Sequence, residues 1–513
     1  MQHLLPQLSA LLPWIYLLAM LPVALSPARL AINRLWWPAR LAGYAGFLVV
    51  LAALFEALLN ERESDRLGLA MATLISLLAL VIVEYSRHYL DGEQGQKRYI
   101  LALLGTLTAV AVVVTSHDVY VLIAAWIISS LCLHQLLTFY RDRPMAQVVA
   151  HKKFLASRLA DLCLIAATVL LVNASGDSAI AVILDEVAAR LQTSGALGWD
   201  LQLASVLLVL AVILKSAQLP VHGWLIQVME APTPVSALLH AGVVNLGGFV
   251  LLRFAPLLSA APVAHTLLVV VGGLTAVLAG LVMMTRISIK VRLAWSTCAQ
   301  MGLMLLECGL GLYELALVHL LAHSLYKAYA FLEAGDTVSR ARQQSLQPRS
   351  SPAKPKIALV ALIVAGVWLA LLHGLWSTLL PAHQLPLIAL GILTIGLAPW
   401  CMRLSGALYS LTTLTLLLGC YLLWHSAAAH ILGASPATSA LQQYLGVFAL
   451  LLFLGLYVLQ ALIMSQPDSV LARRLYPWAF AGFYLDEHFT RLTFRLWPIT
   501  SPQPAKPATG ESQ

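Results

Sequence analysis

The sequence predicts an all-α membrane protein, a polytopic bundle of about fifteen transmembrane helices. Apolar residues make up 60% of the 513-residue chain and charged residues only 11%, against roughly 45–50% and roughly 25% in soluble domains. So few charges cannot cover the surface of a soluble protein of this length. Apolar runs of about 20 residues, enough for one helical crossing, recur along the chain between short polar connections.

Each predicted span is one such apolar run. The spans are residues 4–25, 39–59, 67–86, 99–116, 119–139, 154–173, 201–228, 233–256, 264–284, 292–311, 314–334, 357–379, 385–402, 405–425 and 444–464. The stretch around 177–199 indicates a short surface helix between two spans. The first run lacks the basic flank of a cleaved signal peptide, so it is predicted to be retained as a helix.

Basic residues occupy alternate connections between the spans. The connections after odd-numbered spans hold Arg29, Arg34, Arg40, Lys97, Arg98, Arg141, Arg143, Lys152, Lys153, Arg286, Lys290, Arg340, Arg342, Arg349, Lys354 and Lys356. Those after even-numbered spans are neutral or acidic, with Glu61, Glu63, Asp65, Asp118, Asp177, Asp185, Glu186 and Asp200. Because basic connections stay in the cytoplasm, we predict a multi-pass protein of the cell inner membrane, with its N-terminus outside and its C-terminus cytoplasmic.

The tail after Gln466 divides into two parts. Residues 467–497 mix aromatic and aliphatic side chains with four arginines, which suits an interfacial helix or a docking surface. Residues 501–513 are rich in proline and polar residues and are predicted to be disordered.

Several function classes are excluded by missing motifs. The six cysteines all fall in apolar runs and form no Cys-x-x-Cys pair, so neither a disulfide framework nor a metal site is indicated. No dinucleotide-binding, Walker or zinc-protease motif occurs. The net charge of +8 is spread over the connections and does not form the basic face of a nucleic-acid-binding protein. We therefore predict no catalytic residues, no metal and no cofactor in this chain.

Ionisable residues inside the spans are the candidate functional residues, because a charge near the bilayer centre costs about 2.5–3.5 kcal/mol on insertion scales. Lys215 lies deep in the seventh span, five residues before Pro220. A proline there interrupts the helix, and the freed backbone groups are tolerated where they line a cavity. His222 and Glu230 follow the predicted break, and His240 lies well inside the next span.

A second set of polar residues lies on the eleventh span. His319, His323 and Lys327 are four residues apart, which places them on one helix face as a stripe about 12 Å long. Such a stripe suits a proton relay. The alternative is hydrogen bonding between helices, and a zinc site is a weaker alternative because no glutamate lies between the histidines. Glu307 lies near a predicted span end, where its side chain is expected to reach water.

Arg158 and Asp161 are one turn apart near the start of the sixth span. They are expected to form a local ion pair. The pair is either an anchor at the helix end or part of the coupling machinery.

Four stretches resemble a known family. They are residues 215–225 (KSAQLPVHGWL), 229–240 (MEAPTPVSALLH), 289–302 (IKVRLAWSTCAQMG) and 319–328 (HLLAHSLYKA). They resemble the antiporter-like subunits, which are the proton-translocating subunits of respiratory complex I and the large subunits of Mrp cation/proton antiporters. The resemblance implies inverted repeats, a pumping lysine at Lys215 on a broken helix, and a hydrophilic axis of His240, His319, His323 and Lys327.

Two positions depart from the family pattern. Trp126 is followed by Ile127 where the family has a glutamate, and the run 374–377 is followed by Thr378 where the family has a lysine. A complete two-channel antiporter is therefore not expected. Lys215 is instead expected to be balanced by Glu230 or Asp161.

Within that family the chain resembles the DabB branch, through residues 134–144, 151–161 and 482–492. The resemblance implies a cytoplasmic DabA-like zinc partner related to β-carbonic anhydrases, bound through cytoplasmic loops and the C-terminal tail. It implies a cation-conducting, energy-coupling subunit of a two-component inorganic carbon (CO2/bicarbonate) accumulation complex, with the proton as the expected cation and with no active site of its own. The alternatives are a proton pump of an NADH-quinone oxidoreductase or hydrogenase, a Mrp-type Na+/H+ antiporter subunit, and a non-conducting scaffold.

The same resemblance implies a division of the chain. Residues 1–98 are expected to form N-terminal transmembrane helices, 99–260 a first antiporter-like repeat and 261–425 a second. Residues 426–464 are expected to form the final span, and 465–513 a cytoplasmic interfacial helix followed by the disordered tail.

Overall fold

The computed structural model describes residues 8–27, 32–60, 65–336, 355–379, 385–403, 407–433 and 439–498. Within them every regular element is helical, and strand pairing is limited to one isolated bridge between Asp118 and Ala179. The helices of the first half are α1 (Leu12–Leu25), α2 (Ile32–Asn60), α3 (Arg66–Tyr89), α4 (Gln96–Thr115), α5 (Val119–Leu137), α6 (Pro144–Ser175), α7 (Ile180–Ser194), α8 (Trp199–Lys215), α9 (Gly223–Ile226), α10 (Thr233–Ala241), α11 (Leu246–Arg253) and α12 (Ala255–Ser259).

The second half contains the remaining helices. They are α13 (Pro262–Met284), α14 (Ile289–Gly309), α15 (Tyr313–Leu332), α16 (Pro355–Leu379), α17 (Leu387–Arg403), α18 (Ala407–Leu432), α19 (Ala440–Ser465), α20 (Val470–Phe480) and α21 (Glu487–Leu496). Twelve helical segments of the described residues are long and apolar enough to cross a membrane. The predicted all-α membrane bundle is thus confirmed. The three other predicted spans correspond to α8, α14 and α17, which are shorter or more polar.

Local sequence explains where several helices begin and end. Asp65 and Asp118 precede α3 and α5, and each side chain accepts a hydrogen bond from a backbone N–H of the first turn, as N-cap residues do. Pro144 occupies the first turn of α6, a position where its missing N–H costs nothing. This helix therefore begins ten residues before the predicted span 154–173. The predicted surface helix is α7.

Both helix breaks lie within predicted spans. The break predicted near Pro220 is confirmed, because the helix of span 201–228 ends at Lys215 and only the short α9 follows before residue 228. Pro220, which cannot donate to the helix ladder, explains this interruption. The span 233–256 is divided into α10 and α11 by a 3-10 turn at Val243–Asn245.

Contacts near the helix ends fit helices that alternate in direction. Arg253 and Asp65 meet at one end of the bundle, while Lys290 donates to Thr233 at the other. We call the end with Arg253 and Asp65 the acidic end; it holds the connections after α2, α4 and α6. The end with Lys290 and Thr233 is the basic end, and it holds the connections after α1, α3 and α5. Lys152 and Lys153 do not lie in a basic connection as predicted, because both are buried side chains of α6.

The C-terminal helices α20 and α21 cover part of the basic end. Trp497, just after α21, stacks on His151 of α6 with ring centroids 3.9 Å apart. The segment predicted as an interfacial helix or docking surface therefore packs, in part, on its own chain. The predicted disordered tail, 501–513, lies outside the described residues.

Candidate ion-translocation site

The first helix break brings together three charged side chains. Lys215 is the last residue of α8, and its Nζ lies 2.8 Å from Oδ1 of Asp161, each side chain being 7% exposed. The other carboxylate oxygen of Asp161 lies 2.8 Å from a guanidinium nitrogen of Arg158. Apart from these ion pairs, Lys215 Nζ and both Asp161 oxygens have no hydrogen-bond partner in the described part of the chain, so they keep unused hydrogen-bonding capacity. Buried groups of this kind are normally satisfied by protein or by ordered water.

The carboxylate beside Lys215 is that of Asp161, on α6. Trp126 of α5, the residue before Ile127, presents its ring to Lys215 with Nζ 4.9 Å from the ring centroid. Of the two partners expected for Lys215, the structure therefore selects Asp161.

The charged cluster continues along α6 toward the basic end. Lys153 donates to the backbone oxygen of Ser130 at 2.7 Å and to its hydroxyl at 2.8 Å. Arg158 reaches the same hydroxyl at 3.4 Å. The basic side chains of Lys153, Arg158 and Lys215 thus lie with one carboxylate beside the break, and Arg158 is the partly exposed member.

The second break connects this region to α15. Asn245, in the turn between α10 and α11, donates to the carbonyl of Ala241 at 2.9 Å and to the hydroxyl of Ser324 at 2.6 Å. Ser324 lies between His323 and Lys327 in sequence, so the turn is tied to the predicted polar stripe.

The stripe on α15 is present as predicted in its geometry. The rings of His319 and His323 are 6.0 Å apart between centroids, and Nζ of Lys327 donates to the hydroxyl of Ser296 at 2.7 Å. His240 is fully buried and stacks on Phe331 at 4.3 Å. Neither nitrogen of His240 or of His323 has a hydrogen-bond partner in the described part of the chain.

The prediction that the Glu307 side chain reaches water is wrong. That side chain is 3% exposed, and its Oε2 lies 2.9 Å from Nδ1 of His319. The pairing joins α14 to α15 and could not be found from spacing along either helix.

Two predicted site residues lie apart from these clusters. Glu230 is 43% exposed and pairs with Arg143 at 3.2 Å at the basic end. His222 is buried and packs against Trp295, with ring centroids 4.9 Å apart. The structure therefore brings Lys215, Asp161 and Arg158 together, places the three α15 residues along one face, and leaves Glu230 at the surface.

The basic end holds a charged pair that sequence reasoning missed. Lys152 is fully buried, and its Nζ donates to Oδ2 of Asp486 at 2.6 Å and to the side-chain oxygen of Gln227 at 3.0 Å. Asp486 lies just before α21, within one of the stretches that resembled the DabB branch. Gln227 directly follows α9 in the interrupted part of the seventh predicted span. Lys152 therefore links the C-terminal segment to the first helix break.

At the acidic end a cavity of about 440 Å³ is lined by Asp65, His117 and Arg253 among others. Burial by itself raises the pKa of Asp65, but the hydrogen bond and the charge of Arg253 outweigh it and hold that pKa below its ordinary value. The pair is close, with Arg253 Nη1 donating to Oδ1 of Asp65 at 2.6 Å. Among the described residues, no group of three or more His, Cys, Asp or Glu side chains could hold a metal ion.

Comparison with known proteins gives consistent matches. The family described as NADH:quinone oxidoreductase/Mrp antiporter, TM, matches residues 116–398. The chain is 43% identical to the probable inorganic carbon transporter subunit DabB of Hydrogenovibrio crunogenus over 452 residues, 86% of this chain and 85% of that protein. It is 39% identical to the probable subunit DabB2 of Halothiobacillus neapolitanus over 456 residues, 85% of this chain and 80% of the other.

Two solved structures share the fold. The Mrp complex from Dietzia sp. superposes with a TM-score of 0.60 at 22% identity, over 92% of this chain and 59% of the matched chain. The membrane-bound sulfane sulfur reductase, an archaeal respiratory membrane complex, superposes with a TM-score of 0.59 at 14% identity, over 96% of this chain and 97% of the other.

Proposed function

The chain belongs to the NADH:quinone oxidoreductase/Mrp antiporter family of membrane subunits, in the branch that contains the DabB subunits, and on that premise we propose that it conducts protons to drive inorganic carbon accumulation. Its catalytic step would belong to a cytoplasmic partner. The observation that carries the proposal is the buried Lys215–Asp161 pair at the end of a broken helix.

Charge and burial support a conducting role for this pair. A helix end inside a membrane exposes backbone groups that are tolerated only within protein or beside a water-filled cavity. Ionisable residues at such depth face the bundle interior and mark ion pathways. The unused hydrogen-bonding capacity of Lys215 and Asp161 gives water a place to bind and a proton a place to move.

The proposed route has two parts. The first comprises Lys215, Asp161 and Arg158 in the expected repeat 99–260. The second comprises His323 and Lys327 in the expected repeat 261–425, with His240 at its edge. The contact of Asn245 with Ser324 joins them. His222 and Glu230 would serve the basic end of the route, and His319 its acidic end.

The basic end is proposed to face the cytoplasm of the inner membrane, because positively charged connections are retained there. The N-terminus would then lie outside. A DabA-like zinc protein would dock on the loops of this end and on the C-terminal segment, since the DabB relatives are named as transporter subunits.

Replacing Lys215 by Ala tests the proposal. In liposomes that contain the purified complex, we expect the variant to abolish proton flux measured with an internal pH-sensitive dye, and to prevent growth at ambient CO2 of cells that depend on the complex. Lys356→Ala is the matched control, because Lys356 is an exposed lysine at the basic end. Full flux in an assembled Lys215→Ala complex would show that the charges only hold helices together. Proton flux that requires Na+ in the wild-type and the Lys356→Ala complexes would favour a Na+/H+ antiporter.

A further inference from the structure

Glu307 is a buried carboxylate close to the acidic end of the bundle. It lies two residues before α14 ends at Gly309, and its side chain is 3% exposed. Burying a carboxylate costs free energy unless it is paired and hydrogen-bonded. A buried carboxylate inside a membrane span is therefore a candidate functional group. Its contact with His319 Nδ1 at 2.9 Å supplies one partner, which in the ionised state is a charge-assisted hydrogen bond.

Neighbouring helices contribute further polar groups near the end of α14. On α15, Glu314 lies in the first turn, before His319. From α18, Tyr421 lies close enough to interact electrostatically with Glu307 and Glu314, and its buried hydroxyl has no hydrogen-bond partner in the described ranges. From α13, the ring nitrogen Nδ1 of His265 lies 2.7 Å from the carbonyl oxygen of Gly309. These groups place polar atoms near the acidic ends of α14 and α15.

The stripe on α15 leads from Glu307 into the bundle. The helix runs from the acidic end at Tyr313 to the basic end at Leu332. His319, His323 and Lys327 follow at one-turn intervals, so they descend about 12 Å toward the basic end. The Nε2 atom of His319 and both nitrogens of His323 are buried and lack hydrogen-bond partners in the described part of the chain.

We propose that Glu307 is a proton-binding site that loads this stripe from the acidic end. The proposal deepens the proposed function and rests on it. In the tautomer that carries its proton on Nε2, His319 accepts the proton of the Glu307 carboxyl group on Nδ1 and releases its own from Nε2 toward His323. The carboxylate is regenerated, the imidazole stays neutral, and no electrons are exchanged. Rotation of the ring or return of the tautomer then resets the site.

A glutamine substitution separates this role from that of a structural anchor. Glu307→Gln keeps the size of the side chain and an oxygen that can accept from His319, but it cannot bind a proton. We expect proton flux in liposomes to fall by about a hundredfold, the lower end of what a positioned proton-transfer group contributes, and Glu307→Asp to recover part of it. Glu84→Gln, which removes a carboxylate paired with Arg40, is the matched control with unchanged flux. Wild-type flux in Glu307→Gln would overturn the proposal.

Infrared spectroscopy tests the site without relying on flux. As the pH on the acidic-end side is lowered, the wild-type complex is expected to gain a protonated-carboxyl band that Glu307→Gln lacks and Glu84→Gln retains. If that band is present while Lys215→Ala leaves flux unchanged, the proposed function fails and the protonation site stands. If the band is the same in wild type and Glu307→Gln, the site itself is refuted.

Discussion

The carboxylate of Asp486 lies 2.6 Å from Nζ of Lys152, although the two residues are 334 positions apart in sequence. The lysine side chain is fully buried and the aspartate is 20% exposed. The contact makes the C-terminal segment part of the basic end of the bundle, beside the first helix break.

Removing one partner of this pair should destabilise the protein. Asp486→Asn leaves the Lys152 ammonium buried without its counter-charge, a change that costs about 3–5 kcal/mol in buried pairs. We expect a lower melting temperature in detergent and faster proteolytic cleavage between α19 and α21. The neighbouring Glu487→Gln is the control, because Glu487 pairs with Arg491 in an exposed contact that contributes little. Equal melting temperatures for the two variants would refute a structural role for the pair.

Gly223 should be sensitive to any added side chain for the same reason. A Cβ atom at this position would overlap the carboxylate of Asp486, so Gly223→Ala must move that side chain away from Lys152. We expect it to increase proteolysis of the C-terminal segment as Asp486→Asn does. In the double variant Gly223→Ala/Asp486→Ser, whose shorter side chain leaves room, the effect of the alanine should be smaller. An additive double variant would contradict this explanation.

The Lys215–Asp161 pair allows structure and conduction to be separated. Asp161→Asn alone leaves the lysine buried without its carboxylate and should lower the melting temperature, whereas Lys215→Met/Asp161→Asn removes both charges and should recover much of it. Proton flux should be lost in both. Flux that returns together with stability in the double variant would mean that the pair serves only to hold α6 and α8 together.

The acidic end should lose stability in acid through Asp65. Because the pKa of Asp65 is held below its ordinary value by Arg253, its contribution is fully present above about pH 4, the ordinary range of an aspartate, and is lost as the pH falls through the lowered pKa. Asp65→Asn should cost about 1.5–3 kcal/mol near neutral pH and much less in strong acid. Thermal melting from pH 7 downward measures the difference, and a constant difference at all pH values would contradict it.

The sequence predicted the features that depend on one helix at a time. Pro220 indicated the break after Lys215, and four-residue spacing predicted the face shared by His319 and Lys327. Partners on other helices were harder to predict, because spacing along a chain does not reveal which faces meet. Asp161 was one of two candidates for Lys215, while Glu307 was expected in water because it lies near a span end.

Lys152 shows a different reason for failure. A lysine in a stretch between two apolar runs indicates a solvated connection, and Lys152 was predicted to lie in one. The helix instead begins at Pro144, so Lys152 lies two turns inside it, with its counter-charge contributed by Asp486. A sequence pattern within α6 cannot signal an ion pair formed with a segment so far along the chain.

The separation of Lys152 from Asp486 also has a consequence for biosynthesis. The ribosome delivers α6 to the membrane long before it has translated the residue that neutralises this lysine. During that interval Lys152 lacks its counter-charge. The residue just before the last described helix therefore supplies the counter-charge for α6, and synthesis that stops before residue 486 would leave an unmatched positive charge among the helices already inserted.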